Sequence, residues 1–107
     1  MNKVLTPAQE SARKLIVERA NAQLYGLSIN LKGDVESAIS AKAEQLRCRV
    51  KDLSPAQKAT ATDAIYKRIE EQLQRTEDVA KAKAESVGVP ASMLSFRKID
   101  LTREWER

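Results

Sequence analysis

Histidine is missing from this 107-residue chain, and cysteine occurs once, as Cys48. The absence of histidine removes the commonest general base and the commonest metal ligand. A single cysteine excludes an intrachain disulfide and favours a reducing compartment, so we expect a cytoplasmic protein. We therefore expect no enzymatic activity, no metal site and no other cofactor.

Glycine and proline occur three times each, and aromatic residues make up 4% of the chain. No apolar run approaches the roughly 20 residues of a membrane helix, and the N-terminus lacks the apolar core of a signal peptide. The abundant residues are Ala, Lys, Arg, Glu and Gln, which favour helix. Because alanine buries little apolar area, a second copy or a partner would help to stabilise the fold. The formal net charge of +4 permits an anionic partner such as nucleic acid.

Two Ser/Thr-Pro pairs, at 6–7 and 54–55, mark helix starts, because each combines an N-cap hydroxyl with a proline at the first helical position. Gly26 is a typical residue to end the first helix, and Gly33 is expected to form a turn. Asp34 can then cap a second helix, and nothing interrupts the third before Gly88. The sequence therefore predicts helices over 7–25, 34–52 and 55–87.

Strict alternation of apolar and polar residues occurs only over 27–32, which predicts a short extended element there. Together these signals predict a single domain, all-α or nearly so, with three helices of which the third is long. The extended element follows the first helix, and a C-terminal segment, 89–107, packs back onto the helices.

The extended element and the helix after it, residues 27–46, resemble the ribbon–helix–helix family of DNA-binding proteins (the Arc/MetJ type). The resemblance lies in the stretch Leu27-Ser-Ile-Asn-Leu31 and in the core positions Val35, Ile39, Ala43 and Leu46. It implies a dimer whose paired strands enter the major groove, with base-reading side chains at Ser28, Asn30 and Lys32. It also implies a phosphate contact at Ser54, where the next helix begins. The alternative is an extended connector whose three apolar residues fill a helical core.

A basic cluster lies at the C-terminal end of the predicted second helix, and it consists of Arg47, Arg49 and Lys51. These side chains would either contact phosphates or complement the negative end of a helix dipole. The C-terminal segment holds much of the large apolar surface, including Met93, Phe96, Leu101 and Trp105. Those residues would either complete an alanine-rich core or dock to another protein.

Two functional hypotheses follow. The first is a small non-enzymatic DNA-binding regulator or accessory protein, acting as a dimer and holding phosphates with the basic cluster. The second is an adaptor or inhibitor that binds another protein through the long third helix and the aromatic C-terminal segment.

Overall fold

Two long helices dominate the computed structural model, which describes residues 4–106. Helix α1 spans Pro7–Gln45 and helix α2 spans Pro55–Ser86. They pack side by side as a hairpin within a rod of 61 × 21 × 16 Å. No strand occurs among the described residues, so the predicted three-helix domain with an extended element is wrong. Within residues 4–106, no helix combines the length and apolar character that crossing a membrane requires.

Both helix starts lie where the Ser/Thr-Pro pairs predict them. Each start is a reciprocal capping box, in which the N-cap hydroxyl accepts from the backbone N–H of the glutamine and the side-chain oxygen of that glutamine accepts from the N-cap N–H. The pairs are Thr6 with Gln9 and Ser54 with Gln57. Gln9 also donates from Nε2 to the carbonyl of Val87 at 3.2 Å, which ties the start of α1 to the end of α2.

The predicted extended element, 27–32, is the middle of α1. Leu27, Leu31 and Val35 are four residues apart in turn, which places them on one side of a helix. Leu31 is 6% exposed, whereas Ile29, which is out of step with that spacing, is 54% exposed. The alternation therefore combines two helical core positions with one surface isoleucine.

Gly26 and Gly33 lie inside α1, so neither ends a helix or forms the predicted turn. A glycine inside a helix costs about 1 kcal/mol relative to alanine. Full burial of a leucine stabilises by about 1.5–3 kcal/mol, and α1 buries both Leu24 and Leu31. Packing against α2 therefore outweighs the two local penalties and keeps the helix continuous.

Helix α1 ends earlier than the sequence predicts, because the chain leaves the helical path at Arg47, whose φ is 54°. The N–H of Arg47 donates to the carbonyl of Glu44 at 3.1 Å, and that of Cys48 donates to Ala43 at 3.0 Å. This bond pair is a Schellman motif, which satisfies the last helical carbonyls. The connection to α2 then contains one short 3₁₀ turn, Val50–Asp52.

Helix α2 ends with the same motif, this time around a glycine. Gly88 has a φ of 80°, its N–H donates to Glu85, and the N–H of Val89 donates to Ala84 at 2.9 Å. Val89 and Ala84 are both 0% exposed, so the apolar contact that accompanies this motif is fully formed. The turn sends the chain back toward the middle of the hairpin.

The core has two zones along the rod. Near the middle, Leu31, Tyr66 and Ile69 form a buried cluster. The partly buried residues around it include Leu101 and Trp105, which confirms that the C-terminal segment packs back onto the helices. Residue 107, the last of the predicted segment, lies outside the described residues. In the other zone the buried residues are mostly alanines, namely Ala20, Ala80 and Ala84.

Candidate functional site

The three residues predicted to read bases lie on α1 and do not share a face. Ser28 Oγ donates to the carbonyl of Tyr25 at 2.6 Å, a bond inside the helix. Ser28 and Lys32 line a cavity of about 310 Å³ beside the C-terminal segment. Asn30 instead lines a groove between α1 and α2 that the segment does not enter. Because these residues are helical, the predicted extended element that would present Ser28, Asn30 and Lys32 on a ribbon is wrong.

The predicted phosphate-binding residues Arg47, Arg49 and Lys51 are all exposed in the connection between the helices. We call this connection, residues 46–54, the hairpin tip. The guanidinium of Arg49 pairs with the carboxylate of Asp52 at 3.1 Å. Arg47 and Lys51 form no ion pair with any other residue in 4–106. The tip therefore presents two uncompensated cations at one end of the rod.

The helix dipole does not account for all of this charge. The dipole acts within the last turn of a helix, and α1 ends at Gln45. Arg49 and Lys51 lie beyond that turn, where they make no contribution to capping. The helix-dipole explanation for this cluster therefore does not cover Arg49 and Lys51.

The C-terminal segment occupies one side of the hairpin. The ring of Trp105 meets Tyr66, while Phe96 lines a hollow with Leu24 and Leu73. Polar contacts hold the segment as well. The backbone N–H of Arg97 donates to Asn21 Oδ1 at 2.8 Å, and the Arg97 guanidinium lies 4.8 Å from the centre of the Tyr25 ring. The guanidinium of Arg103 lies 4.6 Å from the Tyr66 ring and 3.2 Å from the Asp63 carboxylate.

All four residues considered for docking to a partner lie in this segment. Leu101 and Trp105 pack against the buried cluster, and Met93 and Phe96 are half-buried. Met93 closes the short 3₁₀ turn Ala91–Met93. In this arrangement most of the apolar surface of the segment packs against the hairpin of its own chain.

The opposite side of the hairpin is a shallow groove that carries no residue of the C-terminal segment. We call it the open groove, and it lies between residues 15–30 of α1 and 72–83 of α2. Its two adjoining hollows share Gln23 and Thr76. The cations Arg19, Arg75 and Lys83 line it, and no Asp or Glu does.

Sequence reasoning did not single out the residues of the open groove. A signal was present in the α2 sequence, because residues 72, 75, 79 and 83 are three or four positions apart in turn and so share one side of a helix. Arg75 and Lys83 belong to that series. The partner cation, Arg19, lies on α1, and only the antiparallel packing of the two helices reveals that it joins them.

Elsewhere the described residues offer little chemistry. Among them, no group of three or more His, Cys, Asp or Glu side chains is placed to hold a metal ion. Glu10 accepts hydrogen bonds from the guanidinium of Arg13, and these bonds lower the pKa of the Glu10 carboxyl. That pair lies at the start of α1 and matches the preference for a carboxylate near the positive end of a helix.

Comparison of the chain with protein-family models, with curated proteins and with solved structures found no match.

Proposed function

We propose that this protein binds DNA without catalysis, through phosphate contacts made by the hairpin tip. The observation that carries the proposal is the pair of exposed, uncompensated cations at the tip, Arg47 and Lys51, with Arg49 beside them. Such side chains release counterions when they neutralise phosphates, which supplies sequence-independent affinity. The formal net charge of +4 acts in the same direction.

This binding mode uses one copy of the chain and makes no base contacts. The strand through which a ribbon would pair is a helix, so nothing in the proposal depends on a dimer. The single cysteine supports a location in the cytoplasm, where DNA is accessible to such a protein.

The second hypothesis from the sequence, a protein-binding adaptor, has less support. Its docking residues Leu101 and Trp105 pack on the hairpin. Releasing them would expose the buried cluster around Leu31 and Ile69, at a cost in stability that a partner would have to offset.

The test is fluorescence anisotropy of a labelled 25-base-pair duplex of mixed sequence, titrated with protein at several salt concentrations. We expect micromolar binding at low salt that weakens steeply as salt rises. Each phosphate contact contributes about 0.9 to the slope of log K against log salt. Replacing Arg47 and Lys51 by glutamine should therefore reduce that slope by about 2.

The matched control replaces Lys14 and Lys98 by glutamine. These substitutions remove the same charge from exposed positions away from the tip. A wild-type protein that does not bind duplex at low salt would contradict the proposal. So would a tip variant whose slope equals that of the control variant.

A further inference from the structure

We propose that the open groove is a second phosphate-binding surface, which holds the sugar–phosphate backbone of double-stranded DNA along the hairpin. The inference rests on the proposed function and extends it, because it adds the side chains of Arg19, Arg75 and Lys83 to the residues that contact DNA. None of these three residues belongs to the hairpin tip.

Charge is the first argument for this occupant. The three cations line one continuous groove without a carboxylate among its lining residues. None of the three forms an ion pair with another residue in 4–106. On the other side of the hairpin, the cavity next to Trp105 is lined by three carboxylates and one cation, namely Glu36, Asp100, Glu104 and Lys32. The two sides of the rod therefore differ in charge, and the side without the C-terminal segment is the one suited to a polyanion.

Spacing is the second argument. Arg75 and Lys83 are eight residues apart on α2, which corresponds to about 12 Å along the helix axis. Arg19 lies in the same hollow as Lys83 but comes from α1, the other wall. The cations are thus distributed along the groove, as an extended chain of phosphates requires, and are not concentrated at one point.

The polar residues among the remaining lining suit a sugar–phosphate backbone better than bases. Amide side chains of Gln23, Asn30 and Gln72 line the groove and are exposed, and such groups donate to phosphate oxygens in DNA complexes. No aromatic side chain lines it, whereas proteins that bind single strands stack bases on aromatic rings. The apolar residues that line the groove, which include Leu15 and Val79, are aliphatic. The groove thus lacks the aromatic residues and methionine that are enriched at the core of a protein interface.

The shape of the hairpin sets the mode of contact. Its cross-section is 21 × 16 Å, while the major groove of B-DNA is about 12 Å wide and admits a single helix. Two packed helices therefore lie across the backbone and do not reach the base edges. From this we expect equal affinity for duplexes of unrelated sequence.

The experiment compares two triple variants of the full chain in the anisotropy assay at 50 mM salt and above. The groove variant carries Arg19→Gln, Arg75→Gln and Lys83→Gln. The control variant carries Lys14→Gln, Lys67→Gln and Lys98→Gln, which removes the same charge at exposed positions outside the open groove. Far-UV circular dichroism and thermal unfolding establish that both variants are folded. Neither set touches an ion pair seen within residues 4–106.

We expect the groove variant to bind duplex at least tenfold more weakly than the control variant at 50 mM salt. Its salt slope should be lower than that of the control by about 3, one contact for each cation. Two 25-base-pair duplexes of unrelated sequence should give the same dissociation constant within a factor of two.

Three results would overturn the inference. If wild-type protein binds duplex but the groove and control variants bind equally, the groove is not a contact surface and the proposed function still stands. If wild-type protein does not bind duplex at all, the proposed function fails first. In the third result, polyglutamate binds as tightly as duplex at equal charge concentration, and only the groove variant loses that binding. In that case the groove is a binding site for an acidic protein.

Discussion

Trp105 meets Tyr66 edge-on, with ring centroids 6.3 Å apart and ring planes 84° from parallel. This T-shaped geometry is favourable for two aromatic rings because the positive edge of one meets the negative face of the other. The contact joins the end of the C-terminal segment to the buried cluster between α1 and α2. The guanidinium of Arg103 lies 4.6 Å from the same Tyr66 ring, so that two residues of the segment engage one side chain of α2.

Trp105→Ala should therefore destabilise the whole protein and not only the segment. Removing a buried aromatic side chain costs about 3–5 kcal/mol, and because Trp105 is only half-buried we expect about 2 kcal/mol. The measurement is urea unfolding followed by far-UV circular dichroism. Trp105→Phe is the matched control, which keeps an aromatic ring and should lose less. An unchanged unfolding midpoint for Trp105→Ala would mean that the segment does not stabilise the hairpin.

Gly26→Ala and Gly33→Ala should each stabilise the protein by about 1 kcal/mol, the difference in helix propensity between the two residues. Both glycines lie within α1, and a Cβ built on either meets no atom within 4 Å. Thermal unfolding of the two single variants and of the double variant measures the effect. Loss of stability would indicate a helix end at Gly26 or a turn at Gly33, as the sequence alone predicts.

The error over residues 26–33 has a clear physical origin. Gly26 and Gly33 are seven positions apart, and strand-like alternation fills the six residues between them. Both features are strong local signals. Over so short a stretch, alternation and helical periodicity share Leu27 and Leu31. What decides between them is the long apolar face of α2, which pairs with α1 over its whole length and lies far away in the sequence.

Local sequence signals predicted the structure correctly where residues close in sequence fix it without tertiary contacts. A hydroxyl followed by proline satisfies orphan amides at a helix start regardless of tertiary contacts, so both starts were predictable. The end at Gly88 was predictable for the same reason. The end of α1 was not, because an arginine takes the left-handed position that glycine usually fills.

The candidate site residues also differ in whether the sequence alone brings them together. The basic cluster of Arg47, Arg49 and Lys51 falls within five consecutive residues, so it is visible in the sequence wherever α1 ends. The open groove joins Arg19 to Arg75 and Lys83 across the hairpin. No pattern within α1 or α2 alone contains that relationship, because it depends on how the two helices are aligned.

Gly88→Ala should destabilise the protein by about 1–2 kcal/mol, the opposite direction to the two glycines of α1. Its φ of 80° is a left-handed conformation, which costs an L-residue about 1–2 kcal/mol. A Cβ there would also lie 2.7 Å from Gln9 Nε2, so the bond from Gln9 to Val87 would have to shift. Gln9→Ala with Gly88→Ala in a double-mutant cycle separates the two causes. If the penalty is unchanged in the Gln9→Ala background, it comes from the backbone alone.

Arg47→Gly should separate stability from DNA binding. Because Arg47 holds a φ of 54°, glycine should relieve about 1 kcal/mol of backbone strain and raise the unfolding midpoint. The same change removes a tip cation, so the salt slope for duplex binding should fall by about 1. Arg47→Gln is the control, since it removes the charge and keeps the strain. A glycine variant that is more stable and binds duplex as wild type does would exclude Arg47 from the phosphate contacts, while one that is less stable would contradict the left-handed turn at the end of α1.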